Sequence, residues 1–117
     1  MISIEAIVRP ERVNQVTAAL EAVGCQGFYY HNLTGQGRQR GVEVFVGRSG
    51  TVASRSSVPK TLVRTIVNDD MQDTVIDAII EASRSSGDGE IGDGKIFVSH
   101  VAEVVRVRTG ERGGEAL

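Results

Sequence analysis

The hydrophobic period of this chain changes from two residues to a helical spacing twice, in the same order each time. Ile2, Ile4, Ala6 and Val8 alternate with Ser3, Glu5 and Ile7, the pattern of a strand with one apolar face. After Pro10 the spacing shifts, and Val13, Val16, Ala19, Leu20 and Val23 recur three and four residues apart, as on one stripe of a helix. Pro10 suits a first helical turn, because its φ is already near the helical value and its missing N–H would find no partner there. Gly24 stops the helix. FYYHNLTG, ending at Gly35, is rich in β-forming residues and reads as a second strand. After Pro59, TLVRTIV is a third strand. Asp69 or Asp70 caps a second helix, with Asp73 in its first turn and Val75, Ile76, Ile79 and Ile80 as its apolar stripe. KIFVSHV is a fourth strand, and EVVRVRT is a strand-like extension.

The order strand, helix, strand, strand, helix, strand predicts an α+β fold, a ferredoxin-like βαββαβ sandwich with two helices on one face of an antiparallel sheet. The other face carries Ile7, Val63 or Leu62, and Val98 or Phe97, according to register. A monomer rarely exposes an apolar patch of that size, so an oligomer is expected.

Composition narrows the function classes. A chain of 117 residues makes one domain, here 1–117. A net charge of -2 creates no field that recruits nucleic acid. Aromatic content of 4%, with no Trp, excludes a stacking platform for single strands. The single cysteine, Cys25, excludes an intramolecular disulfide and a cysteine-only zinc site, and its setting reads as a small buried filler. No apolar run approaches the roughly 20 residues that cross a bilayer. MISIEAIVRP has no basic region ahead of its apolar run, so it is not a signal peptide. A cytoplasmic protein with no membrane insertion is expected.

Two glycine-rich segments interrupt the pattern. GQGRQRG and GRSGTVASRSS flank VEVFV and make a long, mobile excursion over about 36–57, with a short ribbon at VEVFV. Loops of that length inside compact domains are usually functional or disordered. The second segment, GDGEIGDGK, holds two Gly-Asp-Gly triplets and ends at Lys95. Glycines let backbone N–H groups approach an anion, and a lysine adds a point charge for phosphate. Arg106 and Arg108 lie two apart on the strand-like extension, which would put them on one face about 7 Å apart. Together these clusters point to a polyphosphate, provided they meet in space. The alternative is that the glycines make tight turns and the arginines pair with Glu103 or Glu111.

IGDGKIFV followed by VVRVRTGER resembles the C-terminal signature of the PII signal-transduction proteins. AIVRPERVNQVTAALEAVGCQG, GQGRQRG and VPKTLVRTIVNDD resemble the rest of that family, so the likeness covers nearly the whole chain. It implies a homotrimer with nucleotide sites in the clefts between subunits. It also implies a T-loop over about 36–57, a B-loop over about 84–95 and a C-terminal segment over about 102–117. By that resemblance the protein regulates nitrogen and carbon metabolism. ATP and ADP compete for each cleft, and ATP with Mg2+ supports binding of 2-oxoglutarate. The T-loop then docks on an ammonium channel, a metabolic enzyme or a regulator. Carried over by position, Gly35, Gly37, Arg38 and Gln39 line the cleft, with Gln39 also near Mg2+ and 2-oxoglutarate. Lys60 reaches the 2-oxoglutarate carboxylate. Tyr29 and Ile66 lie on the adenine side. Gly92, Asp93, Gly94 and Lys95 wrap the phosphates beside Phe97, and Arg106 and Arg108 arrive from the neighbouring subunit. On this reading the protein is not an enzyme and has no catalytic residue.

The sequence departs from the family pattern in four places. FVGRSGTVASRSS has no tyrosine where many relatives are uridylylated, and the loop is two residues longer. Tyr29 replaces a small hydroxyl residue beside the adenine. Gly87-Asp88-Gly89 is surplus, either a widened turn or an altered phosphate grip. Gln36 replaces an aromatic or basic residue. The alternative readings are a nucleoside diphosphate kinase-like phosphotransferase, using His31 or His100, and a ligand-free trimeric adaptor in which Tyr29 fills the cleft.

Overall fold

A computed structural model of the protein describes residues 1–36, 42–46, 51–55 and 58–117, with the side chains of 1–36 and 58–117. Its strands are β1 (Ile2–Val8), β2 (Phe28–Gly35), β3 (Val42–Val46), β4 (Thr51–Arg55), β5 (Val58–Val67) and β6 (Gly94–His100). Its helices are α1 (Val13–Ala22) and α2 (Gln72–Ser83). The main sheet has the order β2-β5-β1-β6, with every pair antiparallel. That is the ferredoxin-like arrangement which the alternation of periods predicts.

The core forms where the strand period meets the two helical stripes. Ile2, Ile4, Ala6 and Val8 are at most 2% exposed, and Val16, Leu20, Val75 and Ile79 from the helices at most 1%. Register places Ile4 opposite Thr65 and Ala6 opposite Val63, so alternate residues of β5 face the same helices. Two of these are threonines whose hydroxyls need partners once buried. Thr61 Oγ1 donates to Asn32 Oδ1 at 3.1 Å, and Thr65 Oγ1 donates to the Gly27 carbonyl at 2.7 Å. Cys25 belongs to this core as expected, and burial pushes its thiol pKa up against a smaller opposing effect from Thr65.

Register also decides the uncovered face. Ile7 pairs with Leu62 on one side, and Glu5 with Phe97 on the other, so Leu62 and Phe97 join Ile7 there. Val63 and Val98 fall on the helix side, opposite Ala6 and Ile4. The uncovered face is not wholly apolar, because Glu5 lies 3.5 Å from the Arg64 Nε near its centre.

Four local expectations need correction. The first helix opens with a 3-10 turn, Pro10–Arg12, before α1 begins. Asp69 and Asp70 do not cap α2: they form a 3-10 turn with Met71, and no side chain caps that turn or the helix. The Asp69 carboxylate instead pairs with the Met1 amino group at 2.8 Å, a partner that local sequence cannot reveal. EVVRVRT is not a strand. Gly110, at φ 72, lets the chain turn back so that the segment pairs with itself through a single bridge, Val105 to Arg112. The third strand starts earlier than expected, at Val58, and includes Pro59. Pairing with β1 begins only at Thr61, so Pro59 lies where β5 has a neighbour on one side only, a position that tolerates a missing N–H. The ribbon at VEVFV is present, with TVASR as its second strand in a separate two-stranded sheet. No helix among the described residues is long and apolar enough to cross a membrane.

Gly94 fixes the junction of β6 with β1. Its φ is 126°, and a Cβ at this position would lie 1.9 Å from the Ile7 carbonyl oxygen. Gly94→Ala is therefore expected to destabilise the fold by about 2–3 kcal/mol through strain and overlap with backbone that cannot yield. Urea unfolding of both proteins measures this directly; equal midpoints would show that the junction relaxes freely.

Candidate functional site

The connection from α2 to β6 is shaped by one carboxylate. Asp93 accepts hydrogen bonds from Ser85 N–H at 2.9 Å, Ser85 Oγ at 2.6 Å, Glu90 N–H at 2.9 Å and Arg9 Nε at 3.2 Å. Desolvation pushes its pKa up, but these hydrogen bonds outweigh that effect and hold it well below the usual carboxylate range. Arg9 also donates to the Ile91 carbonyl at 3.1 Å, and Lys60 Nζ donates to the Gly92 carbonyl at 2.5 Å. Two cations, Arg9 just beyond β1 and Lys60 on β5, thus fasten the turn. Burial pushes the Lys60 pKa down and the Arg9 charge adds to this, against opposing effects from Glu11 and Asp93.

Across Gly92, Asp93 and Gly94 the sign of φ runs positive, negative, positive, since both glycines have positive φ and no non-glycine residue among those described does. The Asp93 N–H is already donated to the Glu90 carbonyl at 3.1 Å, so the alternation shapes a tight glycine turn rather than a row of free N–H groups. Lys95 follows at once, on the uncovered face opposite Ile7. It is exposed, and its ammonium has no hydrogen bond or ion pair with any described residue. The surplus triplet forms a turn, with Gly87 at φ 73 and Gly89 at φ 84. A Cβ on Gly89 would lie 3.0 Å from Asp93 Oδ2, so this triplet is packed against the carboxylate that holds the loop.

These elements enclose a first cleft of about 1120 Å³, lined by Gly35, Lys60, Gly92, Asp93, Gly94, Lys95 and Phe97 among others. A second cleft of about 580 Å³ lies toward the other end of β5, lined by Tyr29, Arg64, Ile66 and Arg106 with their neighbours. Lys60 and Ile66 are on the same face of β5 but six residues apart, roughly 20 Å along a strand. The residues that sequence reasoning grouped together are therefore divided between two clefts of one chain.

Arg106 and Arg108 are not a same-face strand pair. Arg106 is half-buried, pairs with Glu111 at 2.9 Å and donates to the Glu115 carbonyl at 3.0 Å. Arg108 is exposed in the turn and lines neither cleft. The alternative of an ion pair with Glu111 thus holds for Arg106, while Glu103 pairs with Arg112. Gly37, Arg38 and Gln39 lie outside the described residues. His31 and His100 each stand on a different outer strand, and neither makes a hydrogen bond to a carboxylate among the described residues. Sequence reasoning missed Arg9, Ser85 and Arg64. Arg9 reads only as the residue before a helix, and Ser85 only as loop. Arg64 had a usable signal, since its spacing from Lys60 and Ile66 puts all three on one strand face.

A family model for "Nitrogen regulatory protein P-II" matches residues 1–111. Nitrogen regulatory protein P-II 2 of Methanothermobacter thermautotrophicus is 45% identical, over 100% of this chain and 97% of its own. Nitrogen regulatory protein P-II of Rhizobium meliloti is 42% identical over 100% of both chains. Among solved structures, that of Arabidopsis thaliana PII bound to citrate aligns with a TM-score of 0.76 at 39% identity, covering 99% of this chain and 91% of that one.

The Asp93 clamp has a pH signature. Its folded pKa is depressed, so its contribution is complete above the ordinary value of 3.8 and is lost progressively as pH falls from there toward the folded value. Asp93→Asn should cost about 2 kcal/mol near pH 7. The gap from the parent protein should narrow below pH 4. Denaturant unfolding at several pH values checks both statements; a gap that widens on acidification would contradict the clamp.

Proposed function

The chain belongs to the family of P-II nitrogen regulatory proteins, and on that premise we propose that it is a signalling protein that binds ATP or ADP and regulates a partner in nitrogen and carbon metabolism. The observation that carries this reading is the Lys95 ammonium, which has no partner among the described residues, beside the Gly92–Gly94 turn in a cleft of about 1120 Å³. A glycine turn that lets a ligand approach the backbone, with a lysine ammonium beside it, suits a polyphosphate.

The complete site needs more than one copy of the chain. The first cleft offers phosphate chemistry and the second offers an exposed ring and Ile66 for a base, on a face that also presents Ile7, Leu62 and Phe97 for burial. A homotrimer that sets the first cleft of one protomer against the second cleft of the next unites the two. Arg106 and Arg108 then come from the neighbour, and phosphate competes with Glu111 for Arg106. Among the described residues there is no cluster of three His, Cys, Asp or Glu side chains that could cage a metal. Mg2+ would accordingly be held mainly by the nucleotide phosphates, its common mode, with the Gln39 side-chain oxygen as the protein ligand. Gln39 and Lys60 would bind 2-oxoglutarate. Lys60 is already engaged with the Gly92 carbonyl, so a carboxylate there would also sense the position of the loop. Residues 36–57 form the output loop, and without a tyrosine in FVGRSGTVASRSS its regulation does not use tyrosine uridylylation.

Titration calorimetry with ATP and ADP, each with and without Mg2+ and 2-oxoglutarate, tests the site. Lys95→Ala should weaken nucleotide binding roughly thirtyfold, about 2 kcal/mol for one charged contact. Unchanged affinity would remove the cleft from the assignment. Deleting Gly47 to Ser56 should abolish partner docking and leave the melting transition nearly intact, because long surface loops contribute little to core stability. Loss of the folded transition would instead place that segment in the core.

A further inference from the structure

Arg64 sits in the second cleft with part of its guanidinium uncommitted. Its Nε donates to Ser3 Oγ at 2.8 Å and lies 3.5 Å from Glu5 Oε1. Its two terminal nitrogens make no hydrogen bond with any described residue. Register sets Tyr29 directly opposite Arg64, with Cζ of the arginine 6.0 Å from the ring centroid. Ile66 is the next residue along the same face of β5, and it lines the same cleft. Tyr29 is 50% exposed, so the cleft offers an aromatic side chain, an aliphatic contact and a fork held in place through its Nε.

A guanidinium only donates. Its terminal N–H pair matches two neighbouring acceptors, such as O6 and N7 of guanine; adenine presents a donor, its amino group, beside N7. We propose that Arg64 is a base-selecting residue that opens this cleft to 6-oxopurine nucleotides, those of guanine and hypoxanthine, alongside adenine nucleotides. The proposal rests on the nucleotide reading above and adds to it the edge of the base that is recognised. Tyr29 supplies the surface on which either purine stacks. Arg64 supplies the hydrogen bonds that favour a keto group at position 6. The contacts to Ser3 and Glu5 are consistent with this role, because they hold the side chain without using the terminal nitrogens.

Calorimetry on the purified full chain with ATP, GTP and ITP separates the possibilities. ITP carries O6 and N7 but lacks the guanine amino group, so it isolates the recognised edge. The expected result is that GTP and ITP bind, and that Arg64→Met lowers the GTP-to-ATP and ITP-to-ATP affinity ratios about tenfold. Arg64→Lys keeps a cation beside Glu5 and loses the fork; it should lower both ratios similarly, with an unchanged thermal melt. Binding of ATP without GTP or ITP, or an equal effect of both substitutions on all three ligands, overturns the role of Arg64 and leaves the nucleotide site standing. Binding of none of the three removes the nucleotide site, and the selection of its base falls with it.

Discussion

The Asp93 carboxylate accepts hydrogen bonds from three separate parts of the chain: Arg9 just beyond β1, Ser85 just beyond α2, and Glu90 within the connecting loop. Without that convergence the path over residues 84–93 from α2 to β6 would be a glycine-rich loop of many conformations, since each glycine is costly to order. With it, the turn at Gly92–Gly94 is fixed by the fold itself, and its ordering cost falls on folding. The close approach of Gly94 to the Ile7 carbonyl then welds this loop to β1, the strand at the centre of the core.

The same arrangement explains why the candidate site is divided. β5 lies between β2 and β1, and its uncovered face runs from Lys60 in one cleft to Arg64 and Ile66 in the other. One end collects cations and turned glycines; the other collects a ring, an aliphatic side chain and two guanidiniums. Two halves with complementary chemistry on one subunit are what a symmetric head-to-tail assembly needs. Arg106 adds a further element. Its ion pair with Glu111 at 2.9 Å neutralises a cation at the edge of the second cleft.

Legibility in the sequence followed the range of the interactions. Strand β1, the stripes of α1 and α2 and the βαββαβ order could all be read, because period and punctuation are local and the core rewards them directly. The glycine signature at Gly92–Lys95 was equally visible, as was the role of Cys25 as core filler. Asp93 was legible as part of a glycine-rich turn but not as its clamp, because Arg9 is 84 residues distant. The supposed cap at Asp69 failed for the same reason, since the Met1 amino group took the carboxylate. The extension at Val104–Arg108 read as a strand from its β-branched alternation, yet a strand also needs a partner, and the chain folded back on itself instead.

The sequence by itself determined the four strands of the main sheet, the two helices, their order, the two-layer fold and the family, since each rests on residues near one another or on a motif with a fixed spacing. Only the tertiary structure decided which apolar residues stay on the uncovered face, which carboxylates hold loops rather than caps, and how the ligand-competent side chains are shared between two clefts. Those outcomes depend on strand register and on pairings between residues far apart in the chain, where a shift of one position moves every side chain to the opposite face.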